Sequence, residues 1–142
     1  MTDAGPGMTF ATLACMPRMG YHHLDPADLP ETPDYPCDRR GVSDAAELAV
    51  LHAATYEMEP GEQLPRTYHY HENREEAFYV AAGELHVETP DGEYVTGAGE
   101  VFVAEPDSPH RAYNPADADG PVRVFSVGAP RSDIAHPYDP AE

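Results

Sequence analysis

The sequence of 142 residues contains no lysine and no tryptophan, and all of its fixed positive charge comes from eight arginines. Against these stand 26 aspartates and glutamates, which give a formal net charge of −18. Such a chain repels polyanions and anionic lipid surfaces, so nucleic-acid binding and polybasic membrane docking are excluded. The absence of lysine also excludes a Schiff-base amine, a pyridoxal-phosphate lysine and a phosphate-binding P-loop.

Large aliphatic side chains are scarce as well. Leu, Val, Ile and Phe together supply only 22 residues, a share typical of disordered chains with high net charge. Most of them lie between Leu48 and Val127, which predicts a small compact core with dilute ends. A surface adapted to concentrated salt explains the acidic excess, because salt screens the self-repulsion. We therefore expect a cytoplasmic protein of a halophilic archaeon.

Long apolar runs are missing, and cysteines are few. No stretch of about 18 apolar residues is present, so the sequence predicts no membrane-spanning helix. The two cysteines, Cys15 and Cys37, do not make a disulfide framework and are expected to be reduced thiols. The length fits one domain.

The chain divides into an arm, a strand-rich region and a tail. Four X-Pro pairs between Asp25 and Pro36 favour an extended N-terminal arm over residues 1–46, with one short helical turn at 43–47. From Leu48 onward the hydrophobic pattern has period two and is interrupted by turn-forming residues. This predicts an all-β sandwich or barrel over 47–128, with 129–142 as a C-terminal tail. The predicted strands are 48–58, 66–71, 76–82, 84–89, 93–96, 100–104, 109–114 and 122–127.

Three histidines and one glutamate are the strongest candidates for a chemical site. His69 and His71 are two apart in a predicted strand, so their rings share one face. Glu76 begins a strand whose same-face neighbours are apolar, and a buried carboxylate there needs a partner such as a metal ion. A third imidazole, His110, follows a turn. This mixed nitrogen and oxygen set suits Fe, Mn, Ni, Zn or Cu and does not choose among them.

The alternative for each histidine is a surface or hydrogen-bonded role, since one His-x-His pair among eight histidines is expected by chance. The joint arrangement favours a site, and it resembles the two motifs of the cupin superfamily. The matching positions of the first motif are His69, His71, Glu76 and Gly83. Those of the second are Gly99, His110 and Asn114. The resemblance covers about residues 48–128 and implies a cupin-type jelly-roll β-barrel, also called a double-stranded β-helix.

By this resemblance, one divalent transition metal (Fe, Mn, Ni, Zn or Cu) is held by His69, His71, Glu76 and His110. Glu76 is then also a candidate catalytic residue, as a proton acceptor. Glu105 and Asp107 depart from the family's Pro and Gly. Aspartate tolerates the left-handed backbone conformation that the glycine would adopt, so the turn is expected to survive.

The family commonly uses such a metal set for oxygen-dependent oxidation of small molecules, so a dioxygenase-like oxidoreductase with a small-molecule substrate is expected. A non-catalytic metal- or ligand-binding cupin, a sugar isomerase or epimerase, and a metal that merely staples the fold are the alternatives. The resemblance also implies a homodimer, with Tyr68 and Tyr70 on the covered face. The pattern further predicts core positions at Phe78, Val80, Val101, Val103 and Phe125. For Arg66, Tyr79, Tyr113 and Arg123 a surface or interface role is the default and a pocket mouth is the alternative, whereas Asn114 is expected to fix a strand end.

Overall fold

The structure is a computed structural model that describes residues 20–141. The start of the predicted arm, with Cys15, lies outside the described residues. The described part is built mainly of short strands, as the period-two pattern predicts. Its elements in chain order are a 3₁₀ turn Pro26–Asp28, β1 Asp38–Gly41, α1 Val42–Ala46, β2 His52–Met58, β3 His69–His71, β4 Glu75–Ala82, β5 Glu84–Thr89, β6 Gly92–Gly97, β7 Val101–Ala104, β8 Arg111–Tyr113, β9 Val122–Ala129 and β10 Ala135–Pro137.

Two antiparallel sheets enclose the core. The larger sheet has the order β1-β2-β9-β4-β7, and the smaller has the order β6-β5-β8. Apolar residues from both sheets form one buried cluster, which includes Phe78 and Val80 of β4 and Leu85 and Val87 of β5. Non-consecutive strands lie side by side, and two antiparallel sheets pack face to face, which confirms the predicted all-β jelly-roll barrel.

Two short strands lie outside the barrel boundaries that the sequence indicates. β1 pairs with β2, and the preceding residue, Cys37, is a buried free thiol in the core. β10 pairs with β3 and brings Tyr138 against Tyr68 and His136 against Tyr70. Strands of four and three residues are too short to show period two, so these pairings depend on tertiary contacts.

Three predicted core positions are wrong. Val101 is 53% exposed, Val103 is 61% exposed and Phe125 is 40% exposed. Val101 and Phe125 both pair across the sheet with Tyr79, on its outer face. A period-two pattern identifies two faces without saying which one is buried, and here Phe102 packs against the core instead. Among the described residues, no helix is long and apolar enough to cross a membrane.

Candidate functional site

A cavity of about 530 Å³ lies inside the barrel, lined by residues of β1, β2, β3, β4, β8 and β10 and of the loop 64–67. Its lining includes the four predicted ligands, His69, His71, Glu76 and His110. A larger cavity of about 740 Å³ runs along β6 and β7, and of these four residues only His110 borders it. The smaller cavity is therefore the candidate functional site.

The four side chains approach one another at the cavity wall, the histidines through Nε2 and Glu76 through both carboxylate oxygens. Nε2 of His69 lies 3.2 Å from Nε2 of His71. Nε2 of His71 lies 3.6 Å from Oε2 of Glu76, and Nε2 of His110 lies 3.2 Å from Oε1 of Glu76. Ligand atoms of His69, Glu76 and His110 all lie within 4.8 Å of one another, as the donors of one metal ion do. His71 adjoins this group through its contacts with His69 and Glu76.

Backbone carbonyls orient two of the three imidazoles. Nδ1 of His69 donates to the carbonyl of Thr67 at 2.9 Å, and Nδ1 of His110 donates to that of Ser108 at 2.8 Å. A carbonyl oxygen only accepts, so each Nδ1 carries the proton. In the neutral ring the lone pair of Nε2 then points at the cluster.

Three atoms of these four side chains are buried without a hydrogen bond, namely Nδ1 of His71, Nε2 of His110 and Oε1 of Glu76, and the last two face each other. Nε2 of His110 and Oε1 of Glu76 are fully buried, and their 3.2 Å approach does not have hydrogen-bond geometry. Buried polar atoms without a partner are rare in folded proteins. A divalent cation among these nitrogen and oxygen atoms would satisfy both of them, so the donor set fits a transition metal.

The protonation states also suit a metal. Burial raises the pKa of Glu76, but His110, His71 and Arg74 outweigh it and lower the pKa to about 2. Burial lowers the pKa values of His69 and His71. For His110, burial lowers the pKa, but its contacts with Glu76 and the Ser108 carbonyl raise it more. At neutral pH the carboxylate is ionised, as metal binding requires.

The turn before His110 holds the ligand strands together. Asp107 has a φ of +63°, the left-handed conformation expected for the residue that replaces the family's glycine. Its amide donates to the carbonyl of His71 at 2.8 Å. The amide of His110 donates in turn to the carbonyl of His69 at 2.9 Å. The altered turn therefore keeps the second motif beside the first.

The C-terminal segment completes the surroundings of the cluster. The side chain of Asp133 is only 2% exposed and lies 3.6 Å from Nδ1 of His71. Its carboxylate accepts hydrogen bonds from the backbone amides of Asn73 at 3.0 Å and Arg74 at 2.8 Å. Arg74 places its guanidinium 3.5 Å from Glu76. Sequence reasoning missed Asp133, because it lies in the predicted tail and carries no local pattern.

The lack of a side chain at Gly128 leaves space for the side chain of Glu76. A Cβ at this position would lie 2.7 Å from the carbonyl oxygen of Glu75 and 3.2 Å from Cγ of Glu76. Gly128→Ala is therefore expected to displace Glu76, to lower the free energy of unfolding by about 1–3 kcal/mol and to weaken metal binding about tenfold. Denaturant unfolding and metal titration measure these effects. Gly120→Ala, at a glycine with nothing within 4 Å of its Cβ position, is the matched control. Equal behaviour of the two variants would contradict this role of Gly128.

Further cavity residues come from the arm and the first barrel strand. Arg39 donates from Nε to the hydroxyl of Tyr56 at 3.3 Å. The hydroxyl of Tyr35 donates to the carbonyl of Leu64 at 2.8 Å. His52 also lines the cavity, and burial, with Arg74 and Arg39 adding to it, lowers its pKa to about 4, so the ring is neutral. The sequence offers no local signal for these residues, which meet only through strand pairing.

The four candidates for a pocket mouth differ in whether they line the cavity. Arg66 lines the cavity, whereas Tyr79, Tyr113 and Arg123 do not. Asn114 is buried and fixes the end of its strand, as predicted. Its side-chain amide donates to the carbonyl of Met58 at 3.0 Å and to that of Gly120 at 2.9 Å.

Comparison of the sequence with known families matches the cupin domain over residues 54–128. Among curated proteins, Protein SchB from Streptomyces halstedii is 35% identical over 81 residues. That stretch is 56% of this chain and 56% of the relative, so the chain spans little more than half of the relative's length.

Solved structures show the same fold at low identity. A sugar phosphate isomerase of the cupin superfamily from Silicibacter pomeroyi aligns with a TM-score of 0.69 and 23% identity, over 83% of this chain and 82% of the other. The polyketide cyclase RemF from Streptomyces resistomycificus aligns with a TM-score of 0.69 and 20% identity, over 84% and 87%. KdgF from Halomonas sp. aligns with a TM-score of 0.64 and 23% identity, over 80% of this chain and 96% of the other.

Proposed function

The chain belongs to the cupin superfamily, and on this basis we propose that it binds one divalent transition metal and uses it to oxidise a small molecule with O2. The ligands are His69, His71, Glu76 and His110. The convergence of His69, Glu76 and His110 carries the metal-binding part of the proposal, because one atom of Glu76 and one of His110 are buried without a suitable partner.

The cavity supports a role in small-molecule chemistry. Its volume of about 530 Å³ falls in the range of ordinary ligand sites. A metal that only stapled the fold would need no such space beside it. Walls of mixed character surround the cluster, with Phe78 and Leu64 on the apolar side and Arg39 and Arg74 on the polar side.

A bound ion would supply Lewis acidity and, if redox-active, electron transfer to O2. The chain's own residues have simpler tasks. Glu76 offsets the ion's charge, and its pKa of about 2 makes it a weak base. The cavity walls limit the access of water and orient the substrate. Glu76 as a proton acceptor remains a prediction.

Reconstitution with single metals tests the oxidation. Protein freed of metal and reloaded with Fe(II), Mn(II), Ni(II), Cu(II) or Zn(II) is mixed with bidentate oxygen donors, catechol and 2,4-pentanedione, in an oxygen electrode. We expect O2 uptake with at least one redox-active metal and none with Zn(II). Absence of uptake with every metal and both probes, in protein shown to hold one ion per chain, would contradict the oxidation while leaving the metal site intact.

Acid is expected to release the metal. Protons compete with the ion for Nε2, and His110, whose pKa is raised, is the last of the three imidazoles to become neutral as the pH increases. Below that raised pKa the affinity should fall about tenfold per pH unit, since one proton must leave for each ion bound. Metal titrations between about pH 5 and 8 measure this slope. An affinity that stays constant across this range would contradict proton competition at a His110 ligand whose pKa is raised.

A further inference from the structure

Arg66 differs from the other arginines in the way its charge is balanced. Seven of the eight arginines lie in the described residues, and six of them have a carboxylate oxygen within 4 Å; these six are Arg39, Arg40, Arg74, Arg111, Arg123 and Arg131. Arg66 has no such partner among the described residues, although the chain carries 26 acidic residues. An unpaired guanidinium in so acidic a protein is available to an external anion.

The position of Arg66 relates this charge to the cavity. The residue is exposed, and it also lines the cavity, so it stands at the mouth. Its guanidinium lies 4.7 Å from the centre of the Tyr35 ring. Nη1 donates to the carbonyl of Asp34 at 2.6 Å. Ring and carbonyl together fix the plane of the guanidinium, which reduces the entropy lost when a ligand binds.

One edge of this guanidinium remains open. Nε and Nη2 have no hydrogen-bond partner among the described residues, and together they form the edge that grips a planar carboxylate with two parallel hydrogen bonds. A phosphate site normally gathers several cations or a helix N-terminus, whereas this mouth offers one fork. The geometry therefore favours a carboxylate over a phosphate.

The rest of the cavity fits a ligand of this kind. Its lining contains a single carboxylate, Glu76, which already faces Arg74 and two imidazoles. The lining also includes the apolar residues Leu64, Pro65 and Phe78, and the ring of Phe78 lies 5.8 Å from that of His110. Resting on the proposed function, we infer that the substrate is a small carboxylate, whose acid group binds Arg66 while its apolar body extends toward the metal cluster.

A pair of nearly isosteric probes tests the inference. Benzoate and benzamide share ring and shape and differ in charge, so the ratio of their dissociation constants measures recognition of the carboxylate. The ratio is determined by calorimetry in the metal-loaded protein, in Arg66→Gln and in Arg123→Gln. Arg123 is the matched control, because it is an exposed arginine outside the cavity.

We expect the preference for benzoate to fall about tenfold in Arg66→Gln and to persist in Arg123→Gln. Direct binding of benzoate to the metal, or to Arg39 or Arg74, is common to all three proteins, so a preference that survives in Arg66→Gln would overturn the inference. Metal content measured on the same samples separates the two claims. If the parent protein holds one ion per chain and the ratio is unchanged in Arg66→Gln, only the role of Arg66 is rejected. If the parent protein holds no ion, the proposed function is rejected.

Discussion

A His69→Ala, His110→Ala double variant is expected to lose stoichiometric metal binding while keeping its fold. The two imidazoles are half of the donor set, and each is aimed at the cluster by a carbonyl on its other nitrogen. Changes outside the ligand set already weaken metal sites about 10–100-fold, so loss of two ligands should weaken this one by at least about a thousandfold. Elemental analysis after reloading and dialysis measures the effect.

The matched control removes two histidines outside the cavity. His86 bonds Glu93 on the surface of the smaller sheet, and His22 is exposed. The His22→Ala, His86→Ala variant should retain one ion per chain. Circular dichroism of both variants checks that the fold persists, because neither pair belongs to the apolar core. Full metal content in the His69→Ala, His110→Ala variant would contradict the ligand assignment.

Asp133→Ala is expected to weaken the site from outside the ligand set. The carboxylate lies beside Nδ1 of His71 and accepts two backbone amides at the start of β4. Its removal takes away the negative charge beside His71 and leaves those amides without their partner, so the segment that leads into Glu76 is less well positioned. We expect metal affinity to fall about 10–100-fold and the midpoint of thermal unfolding to decrease.

Asp117→Ala removes the same charge from an exposed loop and is the control for this effect. This variant should keep the metal affinity and the midpoint of thermal unfolding close to those of the parent protein. The metal titration is decisive, since a purely structural role of Asp133 would lower thermal stability without changing the affinity of the folded protein. Unchanged metal affinity in Asp133→Ala would show that Asp133 does not support the metal site.

Local patterns predict the barrel and much of the candidate site. The two-residue spacing of His69 and His71 puts both rings on one face, because successive strand residues alternate. Glu76 precedes an apolar face, and Asp107 supplies the left-handed turn that brings His110 beside them. All of these features depend on short segments of the chain, so the two-residue period and the identity of the turn residue are enough to predict them.

Non-local contacts are beyond such patterns. Tyr35 and Arg39 reach the cavity only because β1 pairs with β2, and Asp133 reaches His71 only because the C-terminal segment returns beside β3. Alternation predicts a core position for Val101 and Val103, which are exposed, because it marks two faces of a strand without identifying the buried one. The acidic excess gives no hint that one arginine, Arg66, stands unpaired at a cavity mouth.

The position of the metal is measured by anomalous diffraction from crystals of the metal-loaded protein, collected at the absorption edge of the loaded metal. We expect one strong peak per chain, about 2.0–2.2 Å from Nε2 of His69, His71 and His110 and from a carboxylate oxygen of Glu76. A strong peak bound elsewhere, or no peak in crystals grown from protein with one ion per chain, would contradict it.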